Sequence, residues 1–239
     1  MSEATGTTPA TVLGIDTSHD VRVGVARDGV VLARAAVTDT RQHVEELMPL
    51  VRRALAEAGL GIGDLTAVAV GLGPGPFTGL RVGIATAGTL AEVRGLPVHG
   101  VCSLDVVAAQ HVEEQQVEEQ RPGGEFLVAG DARRSELYWA RYDATGRRVD
   151  GPHVGPPTDL PALPVVGPGA HVHAGLDAVA GPDSVDAGLL AARNTAIPAA
   201  GEGLEPLYLR RPDAAVSTRR KSALAVPRVR RRAPKGTQS

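Results

Sequence analysis

The sequence predicts an α/β protein of two lobes, the second a reduced copy of the first. Three observations lead there. Apolar strand-like runs alternate with helical periodicity over residues 11–110, the same order begins again near residue 125, and the polar stretch "QHVEEQQVEEQRPGG" separates the two series. At 239 residues, 43% hydrophobic and 22% charged, the chain can bury a substantial core.

After a leader expected to be disordered (1–10), "TVLGIDTS" (11–18) reads as a buried strand ending in a polar turn. "VRVGVARDGVVLARAAV" (21–37) is two β-rich runs joined at Asp28-Gly29, a dipeptide suited to a tight hairpin. In "HVEELMPLVRRALAEAGL", Val44, Leu47, Met48, Val51, Ala54, Leu55 and Ala58 recur on one helical face and Gly59 is placed to end it. Pro49 is expected to kink the first turns of this helix or mark its true start. "LTAVAV" (65–70) is a continuous apolar strand, a glycine-rich turn follows, and Thr78 to Arg94 reads as a second helix stopped by Gly95 and Pro97. "PVHGV" returns as a strand and completes a first lobe assigned to 11–110.

The segment 111–124 reads as a helix end running into a flexible linker, and 125–218 as the second lobe. There "EFLVAGDARRSELYWARYDATGRRV" repeats strand, turn, strand, turn, strand, with Asp131 ending its first strand as Asp16 ends the first strand of the chain. "LPVVGPGA" (163–170) and "SVDAGLLAAR" (184–193) supply a later strand and helix. Strand alternation sets Tyr138 and Trp139 on opposite faces, one expected in the core and the other at the surface. This topology suggests the ribonuclease-H-like, actin-like (ASKHA) architecture.

No apolar run approaches 18 residues and the N-terminus has neither a basic start nor an apolar stretch, so a cytoplasmic protein without signal peptide or membrane span is expected. The single cysteine, Cys102, excludes an internal disulfide and a cysteine-based zinc site, and its apolar setting "VHGVCSL" predicts a buried structural thiol. Net charge is only −2 but unevenly placed. Of 25 cations, eight fall in residues 219–239 with no carboxylate, which leaves 17 against all 27 acids in the preceding residues. Such a tail, expected to be disordered, would follow a phosphate backbone or simply remain a solvated end.

The glycine turn "GLGPGPFTGLR" stands between a strand and a helix, where amide groups hold anions. It completes neither usual phosphate motif. A P-loop needs Gly-Lys-Ser/Thr, and no lysine is present; a dinucleotide fingerprint counted from Gly71 has Pro76 at its sixth position. Pro74 and Pro76 also remove two amide donors. A rigid packing turn is therefore the first reading, and a phosphate turn using Asp16, Thr17, Ser18, Gly73, Gly75, Thr78 and Gly79 is the alternative. Asp16 and Asp131 would hold a magnesium-bound phosphate or cap their own turns. Along the helix, Gly79, Gly83, Ala87, Gly88 and Ala91 permit close approach by another helix, although each helical glycine costs about 1 kcal/mol.

"GLGPGPFTGLRVGIATAGTLA", with "LGIDTS", "HVEELMPLV", "GDARRSELYWARY" and "EPLYLRRPDA", closely resembles the bacterial TsaB family, also called YeaZ, across residues 12–214. The sequence departs at Pro76, where the family usually has serine. The resemblance implies a non-catalytic partner that forms a heterodimer with its paralogue TsaD. With TsaE and an enzyme making threonylcarbamoyl-adenylate, that pair installs threonylcarbamoyl-adenosine beside the tRNA anticodon. It implies no cofactor for this chain itself, ATP and metal belonging to TsaD, and it allows a homodimer in isolation. The paired histidines of TsaD are missing: His99 and His111 are twelve apart, and His171 and His173 lack a third ligand. No catalytic or metal residue is therefore expected here. The partner surface is expected on the first two helices, at Val44, Leu47, Met48, Val51, Gly83, Ala87, Leu90 and Ala91, part of which must be intramolecular core. A small-molecule kinase using Asp16, Thr17 and Ser18, or a metallopeptidase-like protein, is the alternative from another functional class.

Overall fold

Asp28 and Gly29 both take positive φ, 51° and 77°, which gives a two-residue hairpin turn the twist of its strands. They join β2 (Val21–Arg27) to β3 (Val30–Val37) in a computed structural model that describes residues 9–38, 43–117, 124–201 and 203–210. β2 also pairs antiparallel with β1 (Thr11–Asp16). β1 runs parallel to β4 (Ala67–Gly71), and β4 parallel to β5 (Val98–Val101), so the first sheet has the order β3-β2-β1-β4-β5. The second sheet contains β6 (Phe126–Asp131), β7 (Leu137–Tyr142), β8 (Arg148–Gly155) and β9 (Val165–Val166). Its order β8-β7-β6-β9, antiparallel except for β6 with β9, repeats the first four strands of the other sheet, with a single parallel bridge from Ala178 to Val165 in the place of β5. The fold is thus a duplicated, two-lobed actin-like α/β architecture with a reduced second lobe.

Helices α1 (His43–Glu57) and α2 (Phe77–Arg94) cover one face of the first sheet. Leu47, Val51, Ala54 and Leu55 of α1, with Leu80, Ile84, Ala87 and Ala91 of α2, close over Leu13, Ile15, Val23 and Val70. Pro49 lies inside α1 and so does not mark its start. Gly95 ends α2 in the left-handed conformation, its N–H bonded to the Ala91 and Glu92 carbonyls. Helix α3 (Ser103–Val117) begins at the end of β5 and runs beyond residue 110, so the polar segment opens as helix.

The short helix α4 (Ala187–Ala192) departs from expectation, because it packs on β1, β2 and β3 of the first lobe. Gly14 and Gly24 make this possible: a methyl group at either would overlap the backbone of Ala187 or Gly188. A central layer results, in which Val12, Ala69 and Val101 meet Leu190 and Ala191 of α4, Val107 of α3, and Val128, Ala140 and Tyr142 of the second sheet. Tyr138 and Trp139 alternate across β7 as expected, yet both are buried, which corrects the surface position expected for one of them. The second sheet is covered on both faces: Trp139 packs with Leu127, Leu137, Val165 and Ala170 beneath Leu160, Leu163 and Leu176.

Candidate functional site

The buried end of β1 and the glycine turn after β4 are interlocked. Asp16 is almost wholly buried. Its Oδ1 accepts from the Ser18 N–H (2.8 Å) and the Ser18 hydroxyl (2.6 Å), and its Oδ2 accepts from the Ser103 hydroxyl (2.6 Å). Ser103 Oγ in turn accepts from the Gly73 N–H at 3.2 Å, while the Ser103 N–H donates to the Gly73 carbonyl at 2.8 Å. Thr17 donates its hydroxyl to the Gly79 carbonyl at 2.9 Å. The glycines let these turns mesh. A methyl at Gly71 would overlap Asp16 Oδ2, one at Gly75 the Ser18 carbonyl, one at Gly83 the Thr17 hydroxyl, and one at Gly79 would come within 2.8 Å of the Thr17 carbonyl. Gly79 and Gly83 of the small-residue stripe of α2 therefore approach the Asp16-Thr17-Ser18 turn, while Ala87 and Ala91 further along it lie in the core that α2 shares with α1.

Of the residues a phosphate turn would use, Asp16, Thr17, Ser18, Gly73, Gly75 and Gly79 are brought together but are buried against one another, and Thr78 is exposed. Burial pushes the Asp16 carboxyl above its ordinary value, against the lowering effect of its Ser103 and Ser18 hydrogen bonds. Ser103 was not anticipated; a serine at the start of a helix directly after a strand was its available signal. Pro76 is the N-cap of α2 and makes no side-chain capping bond, so a serine in its place would stand where a hydroxyl caps a helix.

Asp131 ends β6 in the matching place. Its Oδ1 accepts from the Arg133 N–H at 2.7 Å, the same two-residue reach as Asp16 to Ser18, and its Oδ2 pairs with Arg133 Nη1 at 3.1 Å. Between the two strand ends, Ser18, Pro74, Ser103, Asp131 and Tyr138 line a cleft of only about 20 Å³. That is room for about one water, whereas small-molecule pockets run to about 300–1,000 Å³. Larger surface hollows of about 340 and 260 Å³ share Arg22 and Ser184. Their cations Arg22, Arg34 and Arg133 are paired with Asp20, Asp186 and Asp131.

Among the described residues, no group of three or more His, Cys, Asp or Glu side chains is placed to hold a metal ion. His99 Nε2 lies 3.2 Å from the Ile197 carbonyl, and His111 pairs with Gln115 and packs on Phe126. Cys102 is fully buried, with its thiol pushed up to about 12 by desolvation, as an inert structural thiol should be. Asp105, also unanticipated, accepts from the Tyr142 hydroxyl at 2.8 Å and pairs with Arg148 at 3.2 Å, tying α3 to the second sheet.

The structure divides the residues expected to face a partner. Leu47, Val51, Gly83, Ala87 and Ala91 are buried in the chain's own core and form the part expected to be intramolecular; Met48 and Leu90 are partly exposed; Val44 lies outside the residues whose side chains are described. The outer face of α2 instead presents Ala85, Thr89, Leu90 and Val93, the last 77% exposed. A C-terminal strap then crosses both lobes. The Ala200 N–H donates to the Gly100 carbonyl, the Leu207 N–H to the Leu72 carbonyl, and Arg210 to the Ala132 carbonyl while pairing with Glu136. The basic segment 219–239 lies outside the described residues, as do residues 1–8. No helix among the described residues is long and apolar enough to cross a membrane.

Comparison with known proteins agrees with this architecture. The TsaD family, described as tRNA N6-adenosine threonylcarbamoyltransferase, matches residues 29–172. An uncharacterized protein of Mycobacterium tuberculosis is 46% identical over 214 residues, 86% of this chain and 94% of that protein. The tRNA threonylcarbamoyladenosine biosynthesis protein TsaB of Escherichia coli is 34% identical over 132 residues, 55% of this chain and 54% of that protein. A Pseudomonas aeruginosa structure with similarity to peptidase YeaZ superposes with a TM-score of 0.65 at 30% identity, covering 84% of this chain and all of the other. YeaZ from the same organism superposes at 0.63 and 29% identity, covering 78% and 92% of the two chains. With the glycine turn, the duplicated sheets and these likenesses together, the chain belongs to the TsaB (YeaZ) family within the two-lobed fold that TsaD shares.

Proposed function

We propose that the chain is an accessory, non-catalytic subunit in the biosynthesis of threonylcarbamoyl-adenosine on tRNA, acting by docking on its catalytic paralogue TsaD. Relatives named as tRNA threonylcarbamoyladenosine biosynthesis proteins support the process. The observation that carries the accessory role is the interlocked strand-end turn. Where a phosphate-handling relative would leave a cradle open, Ser18 and Ser103 occupy both oxygens of Asp16, and the cleft of about 20 Å³ beside Ser18, Ser103 and Asp131 has no volume for a nucleotide. ATP and metal then belong to the partner. Docking falls to the outer face of α2 with Met48 of α1 at its margin, the same face serving a homodimer when the partner is absent. TsaE would join the assembled pair, and the setting is the cytoplasm, where tRNA is modified.

The test is a Thr89→Arg substitution on the exposed face of α2. The folded chain should keep its circular dichroism and melting temperature while losing capture of TsaD and the tRNA modification that the reconstituted proteins perform. Ala87→Arg is unsuitable, because Ala87 is fully buried and a charge there would unfold the chain.

A further inference from the structure

The turn after β6 is held by a segment that begins on the other lobe. Arg133, Arg134 and Ser135 are three consecutive residues with φ of 62°, 55° and 58°. L-residues enter the left-handed region singly and at a cost, so such a run must be imposed by its surroundings. All three side chains are exposed, so their burial does not impose it. Within the turn, the Ala132 N–H donates to the Glu136 carbonyl and the Glu136 N–H to the Arg133 carbonyl, each at 3.0 Å. From outside it, Arg210 donates to the Ala132 carbonyl at 2.8 Å and pairs with the Glu136 carboxylate. Arg210 thus grips the residues on both sides of the left-handed run.

Arg210 ends a strap that first lies along α2. A Cβ at Gly88 would stand 3.3 Å from Leu204 Cδ1, the Leu207 N–H donates to the Leu72 carbonyl at 2.8 Å, and Tyr208 stacks on Phe77 with ring centroids 4.6 Å apart. Residues 204–210 form no helix or strand, so these contacts set their path. Gly88 lies about 60° round the helix from Ala85 at 3.6 residues per turn, so the strap borders the outer face of α2. At its far end, the turn that the strap grips carries Arg133. That guanidinium pairs with Asp131 at 3.1 Å and, with His19, Asp20 and Ser184, lines the hollow of about 340 Å³. The left-handed run opposes what Arg210 holds, so the turn is an element with two states, and whatever steadies or loosens the strap shifts their balance.

We propose that the strap couples the outer face of α2 to the 133–135 turn: a partner seated on α2 holds Leu204 against the helix, keeps Arg210 in its grip, and so fixes Arg133 at the hollow. The partner's identity rests on the docking reading above; the coupling through the strap does not. The experiment is amide hydrogen exchange of the full chain, read by mass spectrometry at residues 132–136 and along α2, with and without TsaD. In the chain alone, Arg210→Ala is expected to speed exchange at Ala132 and Glu136 about tenfold. Gly88→Leu, which pushes Leu204 away from α2 and leaves the turn itself intact, should speed the same two amides. Adding Ser135→Gly to Arg210→Ala should restore slower exchange, because glycine takes positive φ freely and needs less of the grip. TsaD should slow exchange at 132–136 in the wild type but not in Arg210→Ala, while protecting α2 in both. Wild-type exchange at 132–136 in either Arg210→Ala or Gly88→Leu overturns the coupling. So does protection of α2 by TsaD with the turn unchanged. Absence of protection on α2 would contradict the docking reading alone, and the two variants of the isolated chain would then decide the coupling, so the two readings fail separately.

Discussion

The two strand-end turns, Asp16-Thr17-Ser18 in the first lobe and Asp131-Ala132-Arg133 in the second, share one backbone device and differ in everything around it. In each, the aspartate accepts a hydrogen bond from the N–H two residues on. The second oxygen of Asp16 meets a buried serine hydroxyl from α3, whereas that of Asp131 meets an exposed arginine. The residues after the turns diverge likewise: Arg133, Arg134 and Ser135 all take positive φ in a loop, while Thr17 and Ser18 are buried against the glycine turn. Duplication preserved the local turn, and packing decided its use. In the first lobe the turn is core, locked between the glycine turn, α2 and α3.

One methyl group added to each lobe should separate the two turns most strongly. Gly71→Ala drives a Cβ into Asp16 Oδ2, whereas the nearest atom to a Cβ at Gly130 is Leu104 Cδ2 at 4.0 Å. Chemical denaturation should show Gly71→Ala losing about 3 kcal/mol and Gly130→Ala changing by no more than about 0.5 kcal/mol. Removing the carboxylates comes next. Asp16→Ala strands the Ser18 N–H and two buried hydroxyls and should cost about 2–3 kcal/mol, whereas Asp131→Ala, partly exposed and paired at the surface, should cost less than about 1 kcal/mol.

A pH series sharpens the difference. Burial holds the folded Asp16 carboxyl above its ordinary 3.8, so the folded chain binds that proton more tightly than the unfolded chain does. Its contribution is therefore fully present below the unfolded value and is lost as pH rises through the folded one. Asp16→Asn has no such loss, and Asp105, raised in the same direction by burial, is common to both proteins and cancels. The stability of Asp16→Asn relative to wild type should thus improve as pH climbs upward from about 3.8 and then level off, as read from denaturant midpoints at successive pH values. The smallest effect is expected at Pro76→Ser. A capping hydroxyl gained on α2 contributes about 1 kcal/mol, and the lost rigidity of proline offsets about half or more of it.

Most of the fold was legible because its elements announce themselves locally. Asp28-Gly29 marks a hairpin by its φ requirement, Gly95 ends a helix, and the period of Leu47, Val51, Ala54 and Leu55 names a buried face. The lobe to which α4 belongs was not legible, since Gly14 and Gly24 record that something approaches β1 and β2 closely without saying what. The buried state of both Tyr138 and Trp139 was hidden for a similar reason: alternation gives two faces, and only the distant loop at Leu160, Leu163 and Leu176 reveals that both are covered. At the site, the failure of the two phosphate motifs was readable from Pro74, Pro76 and the missing lysine. Ser103 as the partner of Asp16 was not, because the two are joined only when β5 delivers α3 beside β1.

The strand-end turn is structural, and docking is proposed for the surface of α2. One side-by-side assay tests this claim: threonylcarbamoylation of tRNA by the reconstituted proteins, with wild type, Asp16→Asn and Thr89→Arg compared at a temperature where all three are folded. Asp16→Asn should retain modification within about twofold, and Thr89→Arg should abolish it. Loss of modification in folded Asp16→Asn, with Thr89→Arg fully active, would contradict the claim and return the first lobe's turn to chemistry.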